Sequence, residues 1–483
     1  MKVTFIIPPV LDGTQDVDRC FGCNYSIYFL PLLPVLYSAT LIKENSEEVS
    51  IIDFAALKKT KADFEEFIRC DKSEVYVFYT VFLSQNTDIA ARDIIRRLRK
   101  EAIFIYSGPQ ATYRPQVFLD KEDTYAVRGE PELIINKLVV ALGKRLPVSG
   151  INGISFLHEG KVVHSQPAEL LKDIDRLPIP DRRLLDHSPY YNPKLHTMPH
   201  TAALTSRGCF GRCWFCVPNS LSYSQELEQK KYFGMKPAPR IHSAGRVIED
   251  FSRIAHLGFK SISIIDDQFL WDEERTLEIC NGIKNLGLEW SCLCRPEKIT
   301  DRSAKAMKEA GCSYVDLGTE SFDEGVLRSI KKDISPQSTI KAAEILKKNK
   351  IKIEVNILFG ASPQETESTI RETIRQVKRL KVDYALFSIA NPFPGTEFYL
   401  AAKENGWLAY GDYVPVDPGK SSIISYPHLS KRRLEHFLAY AYLSYYLDPR
   451  YIFKQIRQLK NPRDFLNKFL TACNFLRKNF LKK

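Results

Sequence analysis

The sequence contains no apolar run long enough to cross a membrane. Its longest uncharged apolar stretches, residues 28–37 and 437–447, are about half of the ~20 residues that a transmembrane helix needs. The apolar run at the N-terminus ends at Pro8 and Pro9 and is too short for a secretory signal peptide. We therefore expect a cytoplasmic protein. In that compartment the eleven cysteines are reduced thiols, available for metal or sulfur chemistry rather than for disulfides.

Most of the chain lacks a charge excess of either sign, and the excess positive charge is concentrated at its C-terminal end. The net charge is +11, and residues 428–483 contain 13 Lys and Arg against 3 Asp and Glu. The same segment is rich in Phe and Tyr, and helices of this composition suit the surface of an anionic membrane. A helical cap with a solvated basic face is the simpler alternative, and an RNA-binding tail is another, although RNA-binding signatures are missing.

The first 145 residues alternate between apolar runs and helical patterns. Such alternation predicts an open, doubly wound, Rossmann-like parallel sheet, which binds ligands in the loops after its strands. The apolar runs expected to be strands are residues 3–7, 49–54, 75–82, 102–106 and 124–127. Residues 146–200 are rich in proline, and we interpret them as a linker that carries a small hairpin near residues 153–163.

The alternation resumes at Thr201 and predicts a second sheet. Six strands, each followed by a helix, are typical of a partial (β/α)6 barrel of the TIM type, with functional residues after the strands. The expected strands are residues 202–206, 261–266, 289–294, 314–318, 352–359 and 384–390. We therefore expect domains at 1–145, 201–410 and 411–483, joined by the linker at 146–200, with a helical C-terminal segment.

Three cysteines directly follow the first strand of the predicted barrel. Cys209, Cys213 and Cys216 have the spacing Cys-x3-Cys-x2-Cys. Three thiolates on one loop can bind three irons of a 4Fe-4S cluster and leave the fourth open. An open iron can bind S-adenosylmethionine (SAM) and pass an electron to its sulfonium. Zinc is the alternative, but it usually takes four ligands, and the only nearby thiols, Cys292 and Cys294, flank a single strand residue.

This motif, with the aromatic Phe215 before its last cysteine, resembles the signature of the radical SAM superfamily. The resemblance covers about residues 200–410, and later strand ends match it in the expected order. Each strand end taken alone would also suit an ordinary turn. Besides Phe215, the resemblance implies that SAM is contacted by Asp266, Asp267, Arg295, Glu320, Ser321, Gly360, Pro394 and Gly395.

The N-terminal domain resembles the cobalamin-binding domain of one radical SAM subgroup. Residues 107–112 and 128–132 match its fourth and fifth strand loops, although the first loop begins Ser-Gly-Pro where many members have Gly-Gly. No histidine has Asp two residues before it, so cobalt would lack the histidine ligand found in other cobalamin proteins. A relic domain that binds no cobalamin is the alternative. The resemblance implies a cobalamin site at Pro9, Thr80, Ser107, Gly108, Gln110, Gly129 and Glu130.

The expected protein is thus an enzyme that cleaves SAM reductively and modifies an unactivated carbon. Cobalamin-dependent methyl transfer to a lipid-like or other small molecule is our first interpretation. Cyclisation, rearrangement or coupling without cobalamin, a tRNA-modifying enzyme, and a sensor without turnover are the alternatives. We expect an electron donor such as flavodoxin or ferredoxin, peripheral membrane contact through the C-terminal region, and no DNA partner.

Several further residues have no assigned role in this interpretation. Cys20 and Cys23 form an isolated Cys-x2-Cys pair, and two thiols are too few for a cluster. His187, His196 and His200 precede the first barrel strand and are expected to be ordinary linker residues rather than substrate contacts. The sequence identifies neither the substrate nor a catalytic acid or base.

Overall fold

The computed structural model of the chain describes residues 1–24, 28–45 and 47–457. Its strands are β1 (Lys2–Ile7), β2 (Glu48–Asp53), β3 (Val75–Tyr79), β4 (Ile103–Ser107), β5 (Thr124–Val127), β6 (Ile154–His158), β7 (Lys161–His164), β8 (His200–Ala203), β9 (Ser206–Arg207), β10 (Arg240–Ile241), β11 (Ser261–Ile264), β12 (Glu289–Cys294), β13 (Cys312–Glu320), β14 (Lys352–Phe359) and β15 (Tyr384–Ile389). Its helices are α1 (Leu33–Glu44), α2 (Lys61–Cys70), α3 (Gln85–Leu98), α4 (Pro109–Tyr113), α5 (Pro131–Gly143), α6 (Ser220–Phe233), α7 (Ala244–His256), α8 (Glu273–Ile283), α9 (Asp301–Glu309), α10 (Glu324–Ser329), α11 (Pro336–Lys348), α12 (Glu367–Leu380), α13 (Glu397–Glu404), α14 (Lys431–Tyr446) and α15 (Pro449–Arg457).

The first sheet has the strand order β2-β1-β3-β4-β5-β6-β7. Its first five strands are parallel, which confirms the doubly wound architecture, and they bury apolar side chains on both faces because helices cover both. The predicted hairpin is present as β6 and β7. It pairs antiparallel with β5 and so extends the first sheet instead of standing alone in a linker.

The second sheet has the strand order β15-β14-β13-β12-β11-β8. All six predicted barrel strands are present, and the pairs β8–β11, β11–β12 and β14–β15 are parallel. The strands β8 and β15 stand at the two ends of this order. The loops after its strands carry the cysteine motif and the predicted SAM contacts, because parallel strands place all their carboxyl ends on one edge.

The chain divides into two compact units. The first unit consists of residues 1–210, 217–315 and 349–351, and the second of residues 211–216, 316–348 and 352 onward. The first unit therefore contains the whole first sheet and the strands β8, β11 and β12 of the second. Strand β13 begins in the first unit and ends in the second, which also contains β14 and β15. The cysteine motif is divided as well, since Cys209 belongs to the first unit and Cys213 and Cys216 to the second.

Helix α14 lies along the edge strand β15 of the second unit. The Tyr442 hydroxyl donates to the carbonyl of Phe387 at 2.7 Å and accepts from its N–H at 3.3 Å. Tyr446 forms the same pair of bonds with Ala385, at 3.0 and 3.1 Å. The predicted helical tail is thus present over α14 and α15, and α14 matches the interpretation as a cap.

The remaining aromatic residues of the predicted tail, Phe465, Phe469, Phe475 and Phe480, lie outside the described residues. Among the helices that the structure describes, none combines the length and the apolar character required to span a bilayer.

Candidate active site

The loop that carries Cys209 begins with a buried anchor. The Asp266 carboxylate, just after β11, accepts hydrogen bonds from the Thr205 backbone N–H at 2.6 Å, the Thr205 hydroxyl at 2.5 Å and the Ser206 hydroxyl at 2.7 Å. Burial raises the pKa of Asp266. These bonds fix the backbone three to four residues before the first cysteine, so the described contacts of Asp266 are with the loop itself.

The neighbouring Asp267 holds both ends of the cysteine loop. Its carboxylate accepts from the backbone N–H of Gly208 at 3.0 Å and from that of Asn219 at 2.6 Å. Gly208 precedes Cys209 and has φ 86°, a left-handed conformation that suits glycine. Burial raises the pKa of Asp267 to about 7. The charge of this carboxyl group can therefore change near neutral pH while it anchors the loop.

Arg295 reaches the same loop from the end of β12. Its guanidinium carbon lies 4.9 Å from the ring centre of Phe210, the residue after Cys209, and its Nε donates to Glu297 at 2.5 Å. Lys298 lies 5.1 Å from the same ring, which is 43% exposed. Two cations thus lie beside an aromatic side chain of the motif.

The second half of the motif is held by backbone bonds within the second unit. The Trp214 N–H donates to the carbonyl of Ile330 at 3.2 Å, and its indole N–H donates to the carbonyl of Ala361 at 2.9 Å. The Phe398 N–H donates to the Trp214 carbonyl at 3.1 Å, and the Cys216 N–H donates to the Cys213 carbonyl at 3.2 Å. Phe215, a predicted SAM contact, is half-buried beside this tight turn.

Cys209, Cys213 and Cys216 are all half-buried and form no disulfide. In the part of the chain that the structure describes, no three His, Cys, Asp or Glu side chains converge on one metal ion. A 4Fe-4S cluster does not require that convergence, because each thiolate binds a separate iron. Three accessible thiols on a loop anchored at both ends are a donor set that fits such a cluster.

Glu320 and Ser321, at the end of β13, have different surroundings. Glu320 has φ 63°, which is unusual for a residue other than glycine, and its carboxylate lies 3.0 Å from the Lys332 ammonium. Strained backbone of this kind is often found at functional sites. The Ser321 hydroxyl is buried and bonded to Thr373 and to the N–H of Asp323. The role of Glu320 in binding SAM stays a prediction.

Gly360 follows β14 and has φ 72°. Its N–H donates to the Glu365 carboxyl group, and its carbonyl accepts from the Tyr426 hydroxyl at 3.0 Å. Burial raises the pKa of Glu365 to about 8, so this carboxyl group is mostly neutral at pH 7. Pro394 and Gly395 form the turn before α13, with Gly395 at φ 95°.

The predicted cobalamin loops of the first unit lie close together at the ends of β3 and β4. The Thr80 N–H donates to the carbonyl of Ser107 at 2.7 Å, and the Gln110 N–H donates to the carbonyl of Thr80 at 3.2 Å. Gly108 has φ 94°, and a Cβ there would lie 2.6 Å from the Thr80 carbonyl oxygen, so only glycine fits. The Thr80 hydroxyl and the Gln110 side-chain oxygen are buried and have no hydrogen-bond partner among the described residues. Unpartnered polar atoms of this kind suit a polar ligand.

Pro9 follows β1 and is buried, and Gly129 follows β5, where its N–H donates to the Thr112 hydroxyl at 3.0 Å. Glu130, the remaining predicted cobalamin contact, instead binds two arginines. It accepts from Arg207 and from Arg240, each at 2.9 Å. Burial alone would raise its pKa, but the two guanidinium groups lower it, so Glu130 remains ionised.

Arg207 is the residue that sequence reasoning missed. It lies two residues before Cys209, is 1% exposed, and donates to Glu130 at 2.9 Å and to Glu132 at 2.8 Å. It therefore joins the loop after β5 to the cysteine loop. The only sequence signal was the pair of carboxylates in residues 128–132, which fitted a cofactor loop equally well.

Helix α6 was also missed, because its sequence lacks the apolar spacing of a core helix. Its first nine residues, 220–228, are nevertheless all buried. Six of them are polar, namely Ser220, Ser222, Ser224, Gln225, Glu226 and Glu228. A polar helix that is buried needs partners for its side chains.

The remaining candidate residues are cysteines and histidines whose contacts are typical of residues that stabilise the fold. Cys20 is buried with its thiol near two backbone carbonyls, and burial raises the pKa of Cys23 to about 12. His200 is buried between Ser261 and Ser263, and burial lowers its pKa to about 4, as it does for His187. His196 lies in the same linker, where its backbone N–H donates to Glu289 at 2.7 Å. Cys292 and Cys294 share a face of β12, with their sulfurs 3.6 Å apart.

Comparison with known proteins places the chain among SAM-dependent radical enzymes. Residues 204–377 match the radical SAM superfamily. The chain is 31% identical over 464 residues to an uncharacterized methyltransferase of Pyrococcus horikoshii, covering 94% of this chain and 95% of that protein.

Two solved structures share the fold. One is the cobalamin-dependent SAM radical enzyme OxsB with aqua-cobalamin and SAM bound, with a TM-score of 0.68 and 15% identity, covering 99% of this chain and 71% of that one. The other is the radical SAM methyltransferase TsrM from Kitasatospora setae with cobalamin and a 4Fe-4S cluster bound, with a TM-score of 0.65 and 17% identity, covering 90% and 81%. Members of the superfamily use a 4Fe-4S cluster and SAM and need a reductant. With its cysteine loop, its six-stranded partial barrel and a relative similar along nearly its whole length, this chain belongs to the radical SAM superfamily and is a methyltransferase-like enzyme.

Proposed function

We propose that this enzyme methylates an unactivated carbon of a small molecule, with cobalamin at the first sheet as the methyl carrier. The observation that supports this most strongly is the bond network of Arg207. It joins the loop before Cys209 to Glu130 and Glu132 after β5. A ligand at the end of β5 and a cluster on the cysteine loop would then share one buried charged wall, as a reaction that uses both requires.

In this proposal Cys209, Cys213 and Cys216 hold the cluster, and Asp266 and Asp267 fix the loop that presents them. When bound, the cluster supplies the electron that splits SAM into methionine and a 5′-deoxyadenosyl radical. The chain itself supplies binding and orientation. Arg295 and Lys298, whose charges lie beside Phe210, would attract the SAM carboxylate. Glu320, which is ion-paired with Lys332, would accept hydrogen bonds from SAM.

Cobalamin would be held by the loops that contain Thr80, Ser107, Gly108, Gln110 and Gly129. The side chains of Thr80 and Gln110 offer the two unpartnered oxygens, and Gly108 permits the close approach of two loops. When bound, cobalamin supplies a methyl carrier, and this chain offers cobalt no histidine from an Asp-x-His motif. Glu130 contributes through Arg207 rather than through a free carboxylate.

A second candidate function is radical SAM chemistry without cobalamin, such as cyclisation, rearrangement or coupling. One observation favours it, namely that Pro9, Thr80, Ser107, Gly108, Gln110 and Gly129 are all buried. A site for a ligand as large as a corrin should expose its lining when the ligand is absent. The methyl-transfer proposal therefore needs an opening of this site.

We further propose a lipid-like substrate and contact of the second unit with an anionic membrane. Leu447, Ile452, Phe453 and Ile456 on and beside α15 are each more than two fifths exposed. They lie within the segment that has the large excess of Lys and Arg, and apolar side chains among basic ones suit an anionic bilayer surface. Binding to vesicles that contain anionic lipid, absent for neutral vesicles, would support this. Failure to bind anionic vesicles at low salt would contradict the proposed membrane contact.

The function itself is tested by purifying the protein anaerobically, with hydroxocobalamin supplied during expression. About four irons and one cobalamin per chain are expected. With flavodoxin or ferredoxin as the reductant, SAM carrying a deuterated methyl group should yield 5′-deoxyadenosine and a labelled lipid or tetrapyrrole. Iron with SAM cleavage but without cobalamin would favour the second candidate, and absence of SAM cleavage would contradict both.

A further inference from the structure

Helix α6 fills the place at the first sheet where a doubly wound fold binds its ligand. That place is the crevice beyond the carboxyl ends of the parallel strands. In the first unit it is bounded by the loops after β3, β4 and β5, and α6 packs directly on α4, which follows the β4 loop. Among the predicted cobalamin residues, Gly129 lies directly beneath Glu228 of α6.

The beginning of α6 is bonded to the end of β3. The Tyr79 hydroxyl donates to the Ser220 hydroxyl at 3.1 Å. The Ser220 N–H donates to the carbonyl of Cys20 at 2.7 Å. One turn later, the ring of Tyr223 lies 6.2 Å from that of Phe82, in the loop after β3. No ligand can enter above β3 while these contacts persist.

The end of the buried stretch of α6 covers the β5 loop. The Arg128 Nε donates to the Glu228 carboxylate at 3.1 Å, with both side chains almost fully buried. A Cβ at Gly129 would lie only 3.5 Å from the Cβ of Glu228. The helix thus leaves room for little more than a methyl group above Gly129.

The composition of α6 suits a helix that can leave. Leu221, Tyr223 and Leu227 are the large apolar side chains in its buried part, and the six polar ones include Glu226 and Glu228, which form ion pairs. Polar contacts exchange for contacts with water, so they contribute less net stability than buried apolar area. The helix ends at Gly234, which is left-handed with open space around it, and Pro237 and Pro239 follow.

We propose that α6 is a cover over the cobalamin site, which must leave the crevice before cobalamin can bind. This rests on the proposed function, since it concerns the same site. The closed form leaves the Thr80 hydroxyl and the Gln110 oxygen without partners, whereas a bound corrin with its amide groups provides them. Cobalamin and α6 therefore compete for one crevice, and loading of the enzyme is controlled by the helix.

The test is hydrogen exchange on the full-length protein with its cluster, with and without hydroxocobalamin. In the free protein the amides of residues 220–228 should be well protected. Binding of cobalamin should raise their exchange rates, while helix α11, which belongs to the second unit, should be unchanged. Ordinary ligand binding would lower exchange around the site, so an increase in α6 distinguishes displacement from simple binding.

A variant gives the kinetic counterpart. Leu227→Ala removes a buried apolar contact of α6 without changing the predicted cobalamin residues, and Leu346→Ala removes another buried leucine, in α11, as the control. Leu227→Ala should speed cobalamin uptake, followed by absorbance, about tenfold or more, equivalent to about 1.4 kcal/mol in the opening equilibrium. Leu346→Ala should leave the uptake rate unchanged.

Each outcome decides the proposal. Faster exchange in α6 on binding supports it, as does binding by Leu227→Ala when the wild type binds none. Cobalamin binding with α6 fully protected overturns the cover but keeps the proposed function. Absence of binding in both proteins overturns the cover together with the cobalamin part of the function, and leaves radical SAM chemistry as measured by SAM cleavage.

Discussion

Buried carboxylates near the strand ends of the two sheets differ in their partners. At the first sheet two of them meet arginines: Asp88 pairs with Arg19 at 2.7 Å, and Glu130 with Arg207 at 2.9 Å. At the second sheet, Asp267 and Glu365 accept from backbone N–H groups, and burial raises the pKa of both. These first-sheet carboxylates are therefore held by ion pairs, whereas Asp267 and Glu365 are carboxyl groups whose pKa burial raises to about 7 and about 8. A charged ligand such as SAM can therefore change the protonation of Asp267 and Glu365.

The difference is greatest for reductive SAM cleavage, which we expect only at the second sheet. Cys209→Ala removes one thiol of the cluster loop, so iron content should fall and reductive SAM cleavage should disappear, as measured by 5′-deoxyadenosine formation. Cys70→Ala, at an exposed thiol of α2, is the control and should keep both. Cleavage at the normal rate in Cys209→Ala would exclude this loop as the cluster site.

The ion pairs of the first site predict the next largest effect. Arg207→Gln leaves Glu132 buried without its cation and Glu130 with Arg240 alone, and breaking a buried pair typically costs about 3–5 kcal/mol of unfolding free energy. Urea denaturation measures this cost, and iron content should fall too, because Arg207 holds the cysteine loop. Arg183→Gln breaks an exposed pair with Asp181 and should change little. Equal stability of the two variants would show that the network contributes no more than a surface pair.

Around the second sheet, the buried Glu365 should make the stability of the protein depend on pH. Glu365 has a folded pKa of about 8, above its unfolded value, so the unfolded state ionises first and stability falls as the pH rises from about 4.5 to about 8. Glu365→Gln should remove this fall and be more stable than the wild type at about pH 8. Thermal unfolding at several pH values measures the slope.

Glu435 supplies a control of opposite sign. Burial alone would raise its pKa, but Lys431 and Ser421 lower it, so its contribution is present at neutral pH and lost in acid. Glu435→Gln should therefore lose stability at neutral pH and little at low pH. If both variants changed the pH slope in the same direction, the contrast between neutral and ionised carboxyl groups would be wrong.

The smallest effect concerns a neutral contact of the second sheet. Tyr442→Phe removes one hydroxyl from the edge of β15 and should cost about 1 kcal/mol, since two backbone groups lose a partner. Tyr440→Phe, at an exposed position of the same helix, should cost nothing measurable in the same denaturation experiment.

The sheets could be predicted because each strand is marked by a pattern within a short segment of the sequence. Continuous apolar runs such as residues 75–79 identify buried parallel strands, and all six barrel strands were found in this way. The order of Asp266, Arg295 and Glu320 after successive strands could be read for the same reason, because parallel strands end on one edge. The cysteine motif was recognisable because its spacing is set by the cluster.

Other features depended on contacts between distant residues. The Arg207 network joins positions more than 70 residues apart, and no local pattern encodes it. Helix α6 was not predicted because its buried residues are mostly polar. Two of them, Glu228 and Ser220, form hydrogen bonds with Arg128 and Tyr79, which are distant in the sequence. The residues of the predicted cobalamin loops could be identified from the sequence, but whether a ligand can reach these loops depends on α6. The roles of the predicted SAM and cobalamin residues stay predictions.

Strand β15 has one further property that follows from α14. An unpaired edge of a sheet presents a row of N–H and C=O groups, and such a row can add a strand from another molecule. The hydroxyls of Tyr442 and Tyr446 occupy these groups on Phe387 and Ala385, so neighbouring chains find no free template there. Helix α14 therefore also protects solubility, and a chain shortened before residue 431 should self-associate through β15.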